Sequence, residues 1–201
     1  SRMDSATEFL TSTDPWFRPD NLYTGPDGAL YVVDYYRQFI EGPAFLSEEV
    51  LKTADLYAGS DKGRIYKIVK KDEAPAQEPL LFNDSTLTDK LSSKNIWWRR
   101  TAQRLIIDRQ LISLVPALNN IVTNGQEPAG RLHALWTLEG LKQLTPGIVL
   151  RCLNDNTGFV RENAIKIAEQ YYLQDPQIAR QLLKMADDKD ARVRFQLLCS
   201  I

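Results

Sequence analysis

Four related segments in the C-terminal half decide the fold of this chain: Trp98-Arg99-Arg100-Thr101-Ala102, Gly130-Arg131-Leu132-His133-Ala134, Val160-Arg161-Glu162-Asn163-Ala164 and Val193-Arg194-Phe195-Gln196-Leu197. Their arginines are separated by 32, 30 and 33 residues. A small or apolar residue follows each arginine by three positions, which places it on the same face of a helix. A period of this length is typical of stacked repeats, in which each unit buries its apolar face against its neighbours.

Shorter apolar stretches lie between these segments and predict a partner helix for each of them. Residues 111–121 are apolar at helical spacing and end near Asn124-Gly125. Thr145-Pro146 and Asp175-Pro176 each combine a capping residue with a proline at the first helical position. They predict helices over residues 147–153 and 177–185. Each unit is therefore expected to consist of a helix, a short turn and a second helix, over about 30 residues.

The arginine segments resemble the second helix of HEAT repeats, and residues 187–194 are the clearest instance, Asp187-Asp188-Lys189-Asp190-Ala191-Arg192-Val193-Arg194. Acidic residues suit a helix N-terminus, and an arginine can bridge to an acid of the adjacent repeat. We therefore expect a structural ladder formed by Arg99, Arg131, Arg161 and Arg194. The alternative that these arginines bind a partner protein stays open.

Residues 17–69 have the composition of a small β-module. Strands rich in β-branched and aromatic residues are predicted over 21–24, 29–34 and 63–69. The turn Gly25-Pro26-Asp27-Gly28 joins the first two, and a loop or short helix is expected from 37 to 56. So few strands do not make an independent domain, because both faces of the sheet need cover.

The stretch Gly25-Pro26-Asp27-Gly28-Ala29-Leu30-Tyr31-Val32-Val33-Asp34-Tyr35-Tyr36 resembles a blade of a six-bladed β-propeller. The similar proteins are soluble sugar dehydrogenases that use pyrroloquinoline quinone, and sorbosone dehydrogenases. Residues 63–68 match the outgoing strand of such blades. The resemblance implies that Asp34, Tyr35 and Arg37 face a ligand in a complete propeller. A satisfied turn carboxylate beside packing tyrosines is the alternative.

The order of the modules resembles one family, the large exported bacterial proteins described as membrane-bound dehydrogenases. After the blade, residues 97–105, 131–141 and 160–164 carry this resemblance. In that family a propeller precedes a HEAT-like array, and a c-type cytochrome domain often follows. The resemblance implies an exported or periplasmic protein whose parent holds pyrroloquinoline quinone and haem c. This chain has no CxxCH motif and only part of a propeller, so no cofactor or metal site is expected in it; whether it holds a catalytic residue stays unknown.

The predicted fold class is α+β, mainly α: a HEAT-like α-solenoid preceded by a small β-module, a partial propeller blade. The predicted organisation is a lead-in over 1–16, the β-module over 17–69, a linker over 70–85 and helical repeats over 86–201. The last predicted helix reaches Ile201 with no polar capping repeat after it, so a longer parent is expected.

The function expected from this organisation is structural, a segment for protein–protein interaction. The alternative is part of a quinone- or cytochrome-linked sugar or alcohol dehydrogenase whose active site lies mostly outside this chain. The expected partners are the remaining blades and repeats of the parent and a protein on the repeat surface. An exposed sheet edge also predicts a homodimer, because unpaired strand edges seek partners.

Charge is distributed unevenly along the chain. Residues 1–90 hold 10 Lys and Arg against 16 Asp and Glu, whereas residues 91–201 hold 15 against 10. This asymmetry favours attraction between the two modules, with a basic face for an acidic partner as the alternative. The basic residues are dispersed and form no recognised binding motif, so nucleic acid is not an expected partner.

A few residues could suggest chemistry but are expected to be structural. His133 is the single histidine and has no cysteine at ligand spacing, so a hydrogen bond on a helix face is predicted. Cys152 and Cys199 are expected as buried free thiols on apolar stripes. An aromatic group is expected to seal the joint between blade and first repeat, with an exposed platform as the alternative; it consists of Phe82, Trp97 and Trp98.

Overall fold

The computed structural model describes residues 8–72 and 82–201. The chain divides into two compact units between residues 78 and 79. The described residues are mainly helical with one small antiparallel sheet, so the fold is α+β and mainly α, as predicted. The first part of the predicted lead-in and the middle of the predicted linker, residues 1–7 and 73–81, lie outside the described residues.

The first unit contains a three-stranded antiparallel sheet in the order β1-β2-β3, formed by β1 Pro19–Thr24, β2 Leu30–Asp34 and β3 Arg64–Ile68. All three lie where strands are predicted, although β1 begins two residues earlier. The turn between β1 and β2 places Gly28 at a φ of 78°, a left-handed conformation that glycine adopts without strain. This glycine lets the chain reverse and brings β2 alongside β1.

The central strand carries the buried part of the sheet. Val32 of β2 is fully buried and pairs with Leu22 of β1 and Tyr66 of β3. Leu22 and Tyr66 themselves are exposed, and β1 and β3 are the edge strands of the described sheet. The connection from β2 to β3 contains a 3-10 turn and the short helix α1, Glu48–Thr53, which agrees with the predicted loop or short helix.

The second unit consists of helices joined by short turns. They are α2 Leu87–Lys90, α3 Ile96–Asp108, α4 Val115–Asn124, α5 Pro128–Gly140, α6 Pro146–Leu153, α7 Gly158–Ala168, α8 Pro176–Lys184 and α9 Ala191–Ser200. Helices α3, α5, α7 and α9 carry the repeated arginines and contact one another in that order; we call them the arginine row. A second row contains α4, α6 and α8, and α4 packs on α5 and α6 on α7.

The N-termini of α6 and α8 follow the predicted capping pattern. The Thr145 side chain accepts a hydrogen bond from the Ile148 amide, and Asp175 accepts from Gln177 and Ile178. Each capping residue is followed by the proline that begins the helix. A proline is tolerated there because a first-turn amide has no partner within the helix. The helices predicted over 147–153 and 177–185 are therefore confirmed within one or two residues.

The buried residues of the arginine row recur at fixed positions. In both α5 and α7 they are the third, fourth, seventh, eighth, tenth and eleventh residues after the N-cap. In α5 these are Gly130, Arg131, Ala134, Leu135, Thr137 and Leu138. In α7 they are Val160, Arg161, Ala164, Ile165, Ile167 and Ala168. The two helices thus occupy equivalent environments, with an arginine inside each.

The two cysteines differ in their surroundings. Cys152 of α6 is buried, as predicted, and burial raises the pKa of its thiol to about 12. Cys199 is exposed, so the prediction of a second buried thiol is wrong. An apolar helical stripe fixes which face a residue occupies, but not whether another element covers that face. None of the described helices has the length and apolar character needed to span a bilayer.

Candidate interaction surface

The four repeated arginines share one local geometry. Each is the fourth residue after the N-cap of its helix. The N-cap residues of α3, α5, α7 and α9 are Asn95, Glu127, Thr157 and Asp190, respectively. The Nη1 atom of each donates to the carbonyl oxygen two residues before that N-cap. The distances are 2.7 Å for Arg99 to Ser93, 2.9 Å for Arg131 to Gly125, 2.7 Å for Arg161 to Asp155 and 2.5 Å for Arg194 to Asp188. The guanidinium therefore closes the turn that precedes its own helix.

Two of the arginines also bind the next helix pair. Arg131 donates from Nε and Nη2 to the two carboxylate oxygens of Asp155, at 2.7 and 2.8 Å. Arg161 binds Asp188 in the same bidentate way, at 2.8 and 2.7 Å. Bidentate arginine–carboxylate pairs are strong and geometrically specific. The predicted bridge between adjacent helix pairs is therefore present at Arg131 and Arg161. We call each of these arginine–aspartate pairs a rung.

The aspartates of the rungs are held by their own turns. Asp155 Oδ1 also accepts from the Thr157 amide at 2.8 Å, and Asp188 Oδ1 accepts from the Asp190 amide at 2.9 Å. Burial by itself raises the pKa of Asp155, but hydrogen bonds from Arg131 and Thr157 outweigh burial, so its pKa is lowered. The pKa of Asp188 is lowered chiefly by its hydrogen bonds with Arg161. Both carboxylates are therefore ionised in the folded chain at neutral pH.

The other two arginines have no carboxylate partner among the described residues. For Arg99, the position equivalent to Asp155 and Asp188 is Gly125, which has no side chain. The Nε atom of Arg99 is buried without a hydrogen-bond partner in the described chain. A Cβ at Gly125 would come within 2.5 Å of the Ile121 carbonyl oxygen, so the tight turn after α4 excludes an aspartate there. Arg194 of α9 is exposed.

Polar contacts between side chains run along one face of the arginine row. His133 Nδ1 and Gln103 Oε1 are 2.6 Å apart and connect α5 with α3. Trp136 Nε1 donates to Asn163 Oδ1 at 3.0 Å and connects α5 with α7. Arg100 and Arg104 are exposed on α3 and make no ion pair with the described residues. The polar face, as we call it, consists of Arg100, Gln103, Arg104, His133, Trp136 and Asn163.

His133 is a neutral member of this face. Burial, followed by the charges of Arg99 and Arg100, lowers its pKa to about 4. Since Gln103 Oε1 only accepts hydrogen bonds, the Nδ1 atom of His133 carries the hydrogen. The predicted helix-face hydrogen bond is thus present. This hydrogen bond joins α5 to α3.

Replacing His133 with glutamine is expected to remove a pH dependence of stability. The folded pKa of about 4 lies below the unfolded value of roughly 6.5. The stabilisation that depends on the neutral ring is therefore fully present above pH 6.5. It is lost as the pH falls toward 4, because the unfolded chain binds the proton first. Partial exposure reduces the effect to about 1–2 kcal/mol. Urea unfolding at pH 7 and pH 4.5 should show a larger loss for the wild type than for His133→Gln, and parallel losses would contradict this account.

The aromatic group at the start of the second unit packs within that unit. The ring centroids of Trp97 and Trp98 are 5.0 Å apart, and those of Phe82 and Trp98 are 5.8 Å apart. Trp98 is buried, and the Lys90 ammonium lies 4.3 Å from its ring centroid. This group is therefore part of the core around α3. Its predicted role in sealing a joint to the β-module stays a prediction.

In the first unit, the three residues predicted to face a ligand lie around one cleft of about 280 Å³. Asp34 is buried, and its Oδ1 accepts from the amides of Arg18 and Tyr36 at 2.9 and 3.0 Å. Its Oδ2 accepts from Arg64 Nε and Nη2 at 3.2 and 2.9 Å. Each oxygen thus holds two hydrogen bonds. The four acceptor positions of this carboxylate are therefore taken by donors of the first unit, and a ligand contact of Asp34 in a complete propeller stays a prediction.

The other two residues predicted to face a ligand contact each other. The Arg37 guanidinium carbon lies 4.4 Å from the ring centroid of the exposed Tyr35. Arg37 Nη1 also donates to the carbonyl oxygens of Gly59 and Tyr36, at 2.6 and 3.1 Å. These contacts fix the loop after β2. Across the described residues there is no group of three or more His, Cys, Asp or Glu side chains arranged for a metal ion.

Comparison with known proteins concerns the first unit. Residues 1–72 match the family profile of a domain of unknown function, DUF7133. The match spans 72 of the 201 residues and ends before the helices of the second unit begin. No curated protein and no solved structure matches the chain.

Proposed function

We propose that this chain is a non-catalytic structural and protein-interaction segment, in which helices α3–α9 stack as a HEAT-like solenoid. The observation that carries this proposal is the pair of rungs, Arg131–Asp155 and Arg161–Asp188. They join successive helix pairs through the same atoms at equivalent positions. A repeated buried ion pair of this kind fixes the register in which neighbouring helix pairs stack.

The recurrent core supports the same proposal. The arginine row buries the same six positions after the N-cap in α5 and α7. Each helix pair therefore needs its neighbours to cover its apolar residues, which is the energetic principle of repeat proteins. A chain built in this way has a long, regular surface, and its polar face offers side chains for binding.

Charge favours an acidic partner for the polar face. Residues 91–201 carry five more Lys and Arg than Asp and Glu, from 15 against 10. Within this basic unit the rungs neutralise Arg131 and Arg161, whereas Arg100 and Arg104 stay exposed. These two arginines are four residues apart and lie on the same face of α3. An acidic segment of a protein partner would satisfy both.

The resemblance to exported membrane-bound dehydrogenases extends this proposal to a parent protein. In such a parent, the chain would position a propeller relative to further repeats. The quinone, the haem and the exported location implied by that resemblance stay predictions, as does pairing through an exposed sheet edge. The match of residues 1–72 to a domain of unknown function favours no particular activity.

Photo-crosslinking tests the proposed interaction surface. A photoreactive amino acid at position 104, on the polar face, is expected to capture a protein partner from the native cell extract. The matched control is position 180, an exposed arginine on α8 in the second row. The adduct at 104 should disappear when Arg100→Glu is added, because the partner is acidic. Equal adducts at both positions, or none at 104, would count against an interaction surface on the arginine row.

A further inference from the structure

Two polar clefts lie next to each other along the inter-helix turns of the second unit. The first, of about 560 Å³, lies between the turn before α5 and the turn before α7. The second, of about 360 Å³, lies between the turn before α7 and the turn before α9. Asp155 and Asn156 line both clefts, so the two meet at the turn between α6 and α7. We call the two clefts together the turn groove; its lining includes the exposed side chains of Arg151, Asn156, Lys184 and Lys189.

The charge of the turn groove comes from residues outside the rungs. Each cleft contains one rung, whose arginine and aspartate neutralise each other. Three further cations remain, Arg151 in the first cleft and Lys184 and Lys189 in the second. All three are exposed and form no ion pair within the described part of the chain. The groove therefore suits an anionic ligand.

Two groups of the turn groove have open hydrogen-bonding capacity. Arg151 Nη2 donates to the Thr123 carbonyl oxygen at 3.0 Å and so joins α6 to α4. Its Nε and Nη1 atoms form no hydrogen bond with a described residue, and a guanidinium held in this way can receive a carboxylate. The side-chain amide of Asn156 is exposed and also lacks a partner in the described structure. An amide both donates and accepts, so it complements the N–H and C=O groups of a peptide backbone.

The distance between the clefts indicates the shape of the ligand. The clefts are one helix pair apart, and packed helices such as α5 and α7 lie about 8–10 Å from each other. A segment in the polyproline II conformation has three residues per turn, so side chains three residues apart point the same way at a separation of about 9 Å. Nucleic acid fits less well, because the phosphates of one strand follow one another about every 3.4 Å.

We infer that the turn groove binds an acidic polyproline II segment of a partner protein, with a carboxylate at every third residue. One carboxylate binds Arg151, the next binds Lys184 and Lys189, and a peptide group between them binds Asn156. The turn groove shares no residue with the polar face. The inference rests on the proposed interaction role and deepens it by naming the chemistry of a second ligand.

A labelled peptide of four Glu-Pro-Pro repeats tests this inference by fluorescence anisotropy with the full chain at low salt. The matched control peptide has the same composition, but its glutamates stand next to each other in pairs. The spaced peptide is expected to bind, and to bind more tightly than the paired one. Arg151→Gln should weaken its binding on the order of tenfold, because a charge-assisted contact is lost. Arg104→Gln, on the polar face, should leave the affinity unchanged.

Arg151 is exposed, so its variant is expected to keep the melting temperature of the wild type. Equal affinity for the two peptides, an unchanged affinity in Arg151→Gln, or no binding at all would overturn the inference. So would a single-stranded oligonucleotide that binds more tightly than the spaced peptide and loses affinity in Arg151→Gln. The photoadduct at position 104 does not involve this groove. If that adduct forms while the peptide fails to bind, the proposed interaction surface stands and only the turn groove is lost.

Discussion

Replacing Arg161 with alanine is expected to lower the free energy of unfolding of the second unit by about 3 kcal/mol. The Arg161 side chain is 8% exposed and that of Asp188 is 10% exposed, so the pair is largely shielded from solvent. Removing the guanidinium leaves the Asp188 carboxylate buried without its countercharge and the Asp155 carbonyl without a donor. Urea unfolding followed by the helical circular dichroism signal measures this loss.

The equivalent arginine of α9 is the control for this experiment. Arg194 makes the same bond to the turn before its helix, but it has no described carboxylate partner and is exposed. Arg194→Ala should therefore cost less than about 1 kcal/mol. A double-mutant cycle with Asp188→Asn isolates the coupling within the rung. Similar losses for both arginine variants would show that the bond within the turn, and not the rung, stabilises the unit.

Acid titration gives an independent check on the same rung. Arg161 lowers the pKa of Asp188 below its unfolded value of roughly 3.9. The rung therefore stabilises the folded chain fully above about pH 4. This stabilisation is lost as the pH falls through the folded pKa of Asp188. The difference in stability between wild type and Arg161→Ala should narrow in that range. A constant difference down to pH 2 would show that the Asp188 charge is not involved.

The sequence was sufficient to predict the helices because their signals are local. Thr145-Pro146 and Asp175-Pro176 bring the capping oxygen and the proline to adjacent positions, and both begin helices. The spacing of the arginines likewise predicted equivalent helices and a bridge between units. The strands at 30–34 and 64–68 followed from their β-branched and aromatic composition. Apart from the bridge, each of these features depends on residues within one turn or one strand.

Contacts between distant residues could not be predicted in the same way. Asp155 can be recognised as the partner of Arg131 only from its place in the structure, two residues before the N-cap Thr157. Gly125 occupies the same place before α5, so only the structure shows that Arg99 has no carboxylate partner among the described residues. The burial of Asp34 depends on donors from residues 18, 36 and 64. Whether a helix face is covered, as Cys199 illustrates, is likewise decided by other elements.

Replacing Ile165 with alanine is expected to cost about 2–5 kcal/mol of unfolding free energy. Ile165 is the eighth residue after the N-cap of α7 and is fully buried. Truncation removes buried methyl and methylene groups and leaves a cavity where the helices pack, and protein interiors close such cavities only partly. Thermal and urea unfolding of the purified chain measure the loss.

Leu198→Ala makes the matched comparison, since Leu198 is the eighth residue after the N-cap of α9. It is 80% exposed, so its truncation removes little buried surface and should change stability by less than about 0.5 kcal/mol. The two variants delete similar groups at equivalent positions, and their difference therefore isolates the cover that the next helix pair provides. If Leu198→Ala proves as costly as Ile165→Ala, the Leu198 side of α9 is covered in solution, and Arg194 should then behave as a paired arginine as well. The two comparisons thus examine the same interface, one through its apolar contacts and the other through its charge.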